Sequence, residues 1–155
     1  MEKLRKEITA LLEKLKAEIQ ANMESEGVNA SGRTSKSLRV VRYKDGVMLV
    51  AAAGDRAPMR TLEKGREGGD VPRGFYYIIK QWTRDKGLTF ASESERGTFA
   101  YFLSRKIARE GTERHKNNIN VYTNEVDKAR AEAAAIIKVN FKNLVGLNQY
   151  INYER

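Results

Sequence analysis

Ser37-Leu-Arg-Val-Val-Arg-Tyr43 and Val47-Met-Leu-Val-Ala-Ala-Ala53, joined by Lys44-Asp-Gly46, form the stretch on which the reading of this fold turns. Both runs are rich in β-formers. Asp-Gly between two such runs predicts a hairpin, because glycine reaches positive φ without steric cost. A lone two-stranded ribbon is barely stable in water, so it requires added strands or helices packed against it. A further short strand is expected around Arg60 to Glu63, after a loop from Gly54 to Pro58.

Upstream, Leu4, Ile8, Leu11, Leu12, Leu15, Ile19 and Met23 recur at steps of three and four among Glu and Lys. That spacing predicts an amphipathic helix, ended by Gly27, Asn29, Ser31 and Gly32. Its apolar stripe must pack on the rest of the domain or on a second subunit. Downstream, Phe75 to Lys86 reads as a short helix with Ile78, Ile79 and Trp82 inward, stopped at Gly87. Glu95 to Arg109 is the next helix candidate, with Phe99, Phe102, Leu103, Lys106 and Ile107 on adjoining faces and Gly111 closing it. Thr123 to about Leu144 is predicted helical from the stripe Val126, Ala129, Ala133, Ile136, Ile137 and Phe141. Between these elements, Lys64 to Gly74 holds four of the 12 glycines and reads as a mobile basic loop. Asn148 to Arg155 reads as a loose tail.

At 155 residues, residues 1–155 are expected to form a single domain. With 41% hydrophobic and 32% charged residues and two prolines, the composition is globular rather than disordered or collagenous. No apolar run approaches the roughly 20 residues needed to cross a bilayer, and no secretory leader is recognisable, so a soluble protein made in the cytosol is expected. Zero cysteines exclude disulfides, thiol catalysis and cysteine zinc sites. The net charge of +9 is uneven: residues 1–24 cancel, residues 33–86 carry +7, residues 87–155 carry +3, and Glu26 supplies the remaining −1. An electropositive middle favours nucleic acid or an acidic protein surface as partner, or simply keeps the chain soluble.

Signatures of catalysis are missing. The glycines of residues 65–74 are followed by no Gly-Lys-Ser or Gly-Lys-Thr, so they do not make a phosphate-binding loop. His115, the one histidine, sits in the polar run Thr112-Glu-Arg-His-Lys116 and reads as a surface or capping residue rather than a metal ligand. No serine occupies a nucleophile-elbow pattern. Glu93 with Glu95, and Asp127 with Glu132, read as solvated helix faces. No catalytic residue, cofactor-binding residue or metal ligand is assigned, and no cofactor is expected. Phe75, Tyr76, Tyr77 and Trp82 beside Arg73, Lys80 and Arg84 would suit base stacking, but their helical spacing favours core packing. No established nucleic-acid-binding motif is present.

Taken in order, these features resemble the tail-completion and head-tail joining (neck) proteins of long-tailed bacteriophages. The N-terminal helix leads to Asn29-Ala-Ser-Gly-Arg-Thr-Ser-Lys-Ser37-Leu, similar to that family's Ser-Gly-x-x-x-x-Ser-Leu before its first strand. Thr61-Leu-Glu-Lys-Gly65 resembles its strand ending in Glu-x-Gly before a variable loop. Ile78 to Trp82 with Lys86-Gly87 is similar to its short helix with a Trp, and Phe99 to Gly111-Thr112, containing Ser104-Arg-Lys-Ile107, to its next helix closed by Gly-Thr. The match covers roughly residues 5 to 140.

The resemblance implies an α+β fold, a small antiparallel sheet packed against a long N-terminal helix and further helices. It also implies a structural, non-enzymatic virion subunit, assembled in the host cytoplasm into a homo-oligomeric ring, commonly sixfold, at the neck or upper tail. Its partners would be copies of itself and other neck, portal or tail proteins. Arg60, Lys64, Arg66 and Arg73 are the candidate interface or DNA-facing residues, because their loop looks too polar to pack internally. It is expected to order only against a neighbouring subunit, an adjoining ring or passing double-stranded DNA. The alternative reading is a basic nucleic-acid-binding module.

Overall fold

Leu11, Leu15, Ile19 and Met23 recur every fourth residue along the first helix, α1 (Glu2–Ser25), and all four are buried. Fourth-residue spacing keeps side chains on one face, and this face is the centre of the core. Against it pack Val28, Leu38, Val121 and Ala129, with Leu49, Leu62 and Ile136 at the margin. The computed structural model describes residues 2–51, 58–112 and 120–145. Their fold is α+β: α1, α2 (Arg33–Ser37), β1 (Leu38–Tyr43), β2 (Gly46–Ala51), α3 (Pro58–Lys64), α4 (Phe75–Asp85), α5 (Glu93–Glu110) and α6 (Thr123–Val145).

Side-chain contacts show that α1 is the spine. Asn22 Nδ2 reaches the Val121 carbonyl, Lys14 Nζ lies 3.4 Å from Glu132 Oε1, and Asn140 Nδ2 donates to Glu7 Oε2 at 2.7 Å. The partner numbers rise as the α1 numbers fall, so α6 runs antiparallel to α1. The hairpin follows the same rule. Gln20 Nε2 donates to the Ser35 carbonyl, and Arg5, fifteen positions earlier, donates to the Lys44 carbonyl at the hairpin tip.

The hairpin forms in the expected place, with register Leu38↔Ala51 through Tyr43↔Gly46. Lys44 and Asp45 make the turn. Gly46 opens β2 without taking positive φ, so its conformational freedom is not what closes the turn. Leu38, Val40, Leu49 and Val47 share the face toward α1, while Arg39, Val41, Tyr43, Met48 and Val50 share the opposite face. Among the described residues the sheet has two strands. The third strand expected at Arg60 to Glu63 is instead part of α3, which starts at Pro58, a residue suited to the first helical turn. Ala52 to Ala57, His115 and Asn148 to Arg155 lie outside the described residues.

The helices beyond the sheet bury, fully or in part, some of the side chains expected inward, Ile79 on α4 and Val126, Ala129, Ala133 and Ile136 on α6, and expose the others. On α4, Ile79 and Thr83 are buried, whereas Ile78 and Trp82 are exposed. On α5 the buried residues are Ala100 and Ser104, and Phe99 and Phe102 face outward. The reason is close approach. A Cβ at Gly97 would lie 3.0 Å from the Tyr76 hydroxyl, so Gly97, Ala100 and Ser104 make a shallow face that α4 sits on. On α6 the seam runs Val126, Ala129, Ala133, Ile136, Asn140, steps of three and four, which leaves Ile137 and Phe141 beside the seam and exposed. No helix among the described residues is long and apolar enough to cross a membrane.

These burials predict an asymmetric response to truncation. Ile19, only 2% exposed, loses about 3 kcal/mol of stability on replacement by Ala. Phe102→Ala, at a residue 65% exposed, changes stability by no more than about 0.5 kcal/mol. Urea denaturation of both variants checks the contrast, and equal losses would contradict the assigned core.

Candidate interaction surfaces

One buried carboxylate joins the middle of the chain to its last helix. Glu63, near the end of α3, is 4% exposed. Its Oε2 accepts the backbone N–H groups of Val121 at 3.1 Å, Tyr122 at 2.7 Å and Thr123 at 3.1 Å, and its Oε1 accepts the Thr123 hydroxyl. These are the unpaired donors at the start of α6, where a negative charge is also favoured by the helix dipole. Glu63 thus caps a helix sixty residues away. Burial alone would raise its pKa. The bonds from the Thr123 hydroxyl and the three amides outweigh that and hold the carboxyl below the ordinary glutamate value. Burial first and the Glu63 charge second push the Tyr122 hydroxyl up, against the opposing pull of Arg60.

The next residues are fastened as well. Arg66 N donates to Thr112 Oγ1 at 3.0 Å, Thr112 N donates to the Arg66 carbonyl at 2.9 Å, and Gly69 N donates to the Ala108 carbonyl at 2.7 Å. The two backbones touch. A Cβ on Gly111, which has φ of 79°, would lie 2.3 Å from the Arg66 carbonyl oxygen, and one on Gly68 would lie 2.4 Å from the Arg109 carbonyl oxygen. Only glycine fits at such a crossing. Arg66 to Gly68, directly after Glu63-Lys64-Gly65, therefore cross Arg109 to Thr112 at one junction.

This arrangement corrects the expectation that Lys64 to Gly74 is too polar to pack internally. Polar composition did not prevent packing because most of the bonds come from the backbone and from Thr112, with Arg66 the loop side chain that adds to them. Of the four candidate residues, Arg66 is drawn in. Its guanidinium lies 5.7 Å from the centre of the Phe75 ring, and its Nη2 donates to the Asp70 carbonyl at 2.6 Å. Arg60 and Lys64 on α3, and Arg73 just before α4, are exposed.

Beside the junction lies an open cleft of about 870 Å³, walled by Val28, Leu62, Phe75, Ile79, Trp82, Leu103 and Ile107. Lys86 closes one side, its ammonium donating to the Gly27 and Asn29 carbonyls at the end of α1. At the far side of the α4–α5 pair, Glu93 is bound by Arg84 at 2.8 Å, Lys80 at 3.3 Å and Arg96 at 3.0 Å. The Arg84 hydrogen bond is the main reason its pKa is also lowered.

Apart from Tyr43, Met48 and Leu88, the exposed large apolar side chains fall in two groups tied to opposite ends of the spine. Tyr77, Ile78, Trp82, Phe99, Tyr101 and Phe102 belong to the α4–α5 pair, which is tied to the C-terminal end of α1 at Gly27. Ile137, Val139 and Phe141 flank Asn140, which is bonded to Glu7 at the N-terminal end. Between Glu7 and Gly27 a helical rise of 1.5 Å per residue gives a separation of about 30 Å. No family model matches the chain, and no curated protein or solved structure matches it.

Because Glu63 titrates lower in the folded chain than in the unfolded one, its stabilising contribution is complete above the unfolded value of about 4.3. It is lost as pH falls through the lower folded value. Glu63→Gln is expected to cost about 3 kcal/mol at neutral pH and to flatten the loss of stability on acidification. Some acid sensitivity remains from Glu93. Thermal melts of wild type and variant across pH 3 to 7 check this, and parallel curves would contradict the assigned role.

Proposed function

We propose that this chain is a structural subunit of a bacteriophage neck or upper tail, forming a homo-oligomeric ring that joins or completes the tail at the head-tail interface. The observation that carries the reading is the pair of apolar surfaces at the two ends of α1. A free monomer gains nothing by exposing Phe102 and Phe141 to water at separate ends, whereas an element placed between two different neighbours needs a contact surface at each. Supporting it is that Glu63 of the Glu-x-Gly segment caps α6, while the residues just after it cross the segment that ends in Gly-Thr, so both parts of the sequence resemblance have a structural task. In this reading the ends of α1 face the head-side and tail-side components, and Arg60, Lys64 and Arg73 lie free to meet protein or DNA.

A second reading, a nucleic-acid-binding module, is favoured by one feature of α5. Arg105 lies 5.5 Å from the centre of the Tyr101 ring and donates to its hydroxyl, beside the exposed Phe102. Such a surface suits unpaired bases. Light scattering on the eluting protein and negative-stain images separate the two. The ring reading predicts closed assemblies whose mass is a multiple of 17.6 kDa, unchanged by oligonucleotide. A monomer that binds oligonucleotide with steep salt dependence would favour the second reading.

A further inference from the structure

We propose that the lateral contact in the ring is made by strand addition, the free edge of β2 in one copy pairing with the free edge of β1 in the next. The inference rests on the ring reading above and names the surface through which copies meet.

The geometry begins with the turn. Its two residues make Tyr43 and Gly46 the closing hydrogen-bonded pair, and in an antiparallel ladder such pairs alternate with pairs whose N–H and C=O groups point outward. Counting back through the register, the outward groups belong to Leu38, Val40 and Arg42 on β1 and to Val47, Leu49 and Ala51 on β2; the Leu38 N–H is taken up by the Ser35 carbonyl. Among the described residues no hydrogen bond engages the outward groups of Val40, Arg42, Val47, Leu49 or Ala51. Among the described residues the sheet therefore has two unpaired edges. The one face of the ribbon covered by α1 gives it rigidity, and the edges themselves are bare templates for another strand.

Charge decides which edges meet. β1 carries Arg39 and Arg42, and β2, Gly46-Val-Met-Leu-Val-Ala51, carries no charge. Pairing β1 with β1 would set arginines of two copies against each other, which is unfavourable across strands. β2 lacks the lysines, prolines and bulges that protect solvent-facing edges, and Met48 is half exposed beside it. Pairing β2 with β2 would stop at a dimer with two β1 edges bare. Pairing β2 with the β1 of the next copy is head-to-tail, and a head-to-tail contact closes into a ring when its rotation allows. With the axis along the strands, that pairing is antiparallel and leaves no edge free. It also keeps the two ends of α1 directed along the axis, toward the neighbours above and below.

Proline tests this cleanly, because at a position whose N–H points outward it removes a donor to a neighbour and no bond of the hairpin. Arg42 and Ala51 are both exposed and both outward, one on each edge. Arg42→Pro and Ala51→Pro should each retain the circular dichroism and melting of the wild type and run as monomers. Arg42→Ala should still form rings, which separates the lost donor from the lost charge. Mixed in equal amounts, the two proline variants have one good edge each of opposite kind, so they should form a dimer of twice 17.6 kDa and nothing larger. Hydrogen exchange in the segment 38–51 of wild-type protein should slow on assembly, a readout independent of any variant. Rings formed equally well by both folded proline variants, or unslowed exchange in assembled wild type, would overturn the strand pairing and leave the ring reading standing. Dimers of Arg42→Pro alone would show β2 pairing with β2 and also overturn it. Wild-type protein that never self-associates would remove the ring reading, and this inference with it.

Discussion

A single carboxylate placed where four donors converge is the constraint on which the rest of the architecture depends. Glu63 leaves solvent to accept three amides and a hydroxyl at the start of α6. Ionised carboxylates are costly to bury and are tolerated where hydrogen bonds to the charge replace its hydration. With the start of α6 held at α3, the α6 seam is set against α1, and Val121 is driven into the core with no exposed surface. The crossing of residues 66–69 over 108–112 follows directly after, so the position of the α4–α5 pair is inherited from the same anchor.

The spine, the anchor and the crossing together explain why the molecule presents distinct surfaces in distinct directions. Along its length α1 is covered by α6 on one side and the hairpin on another. Its ends carry apolar side chains that the fold does not bury, and the hairpin carries backbone groups that the fold does not pair. Small residues at Gly97, Ala100 and Ser104 produce the first effect, since they let α4 lie close to α5 and push the aromatics outward. The second follows from a sheet with two strands among the described residues. Both are expected of a part that completes its contacts only in an assembly.

Much of this was legible in the sequence. The α1 stripe, the hairpin and the start of α6 are periodic enough to be read directly, because in each the apolar spacing and the local propensity agree. The face of α4 is read only in part, since Ile79 is buried but Ile78 and Trp82 are not, and α5 shows no single stripe because its close contact is made by glycine, alanine and serine. Arg60 to Glu63 is too short for periodicity to choose between strand and helix, and the choice is made by where Glu63 must stand. The Lys64 to Gly74 segment looks unstructured by composition because its partners are backbone groups, to which composition is blind. The signal for Glu63 was present as Glu-Lys-Gly before a loop, together with Gly111-Thr112. What the sequence did not show is that the residues just after the first motif cross over the second.

The most direct test of the anchor is to follow the side-chain carboxyl carbon of Glu63 by NMR as the pH is lowered. The account predicts a midpoint below the ordinary value of about 4.3, with the Val121, Tyr122 and Thr123 amide signals moving in the same step. A midpoint at or above that value, or amides indifferent to the titration, would contradict it.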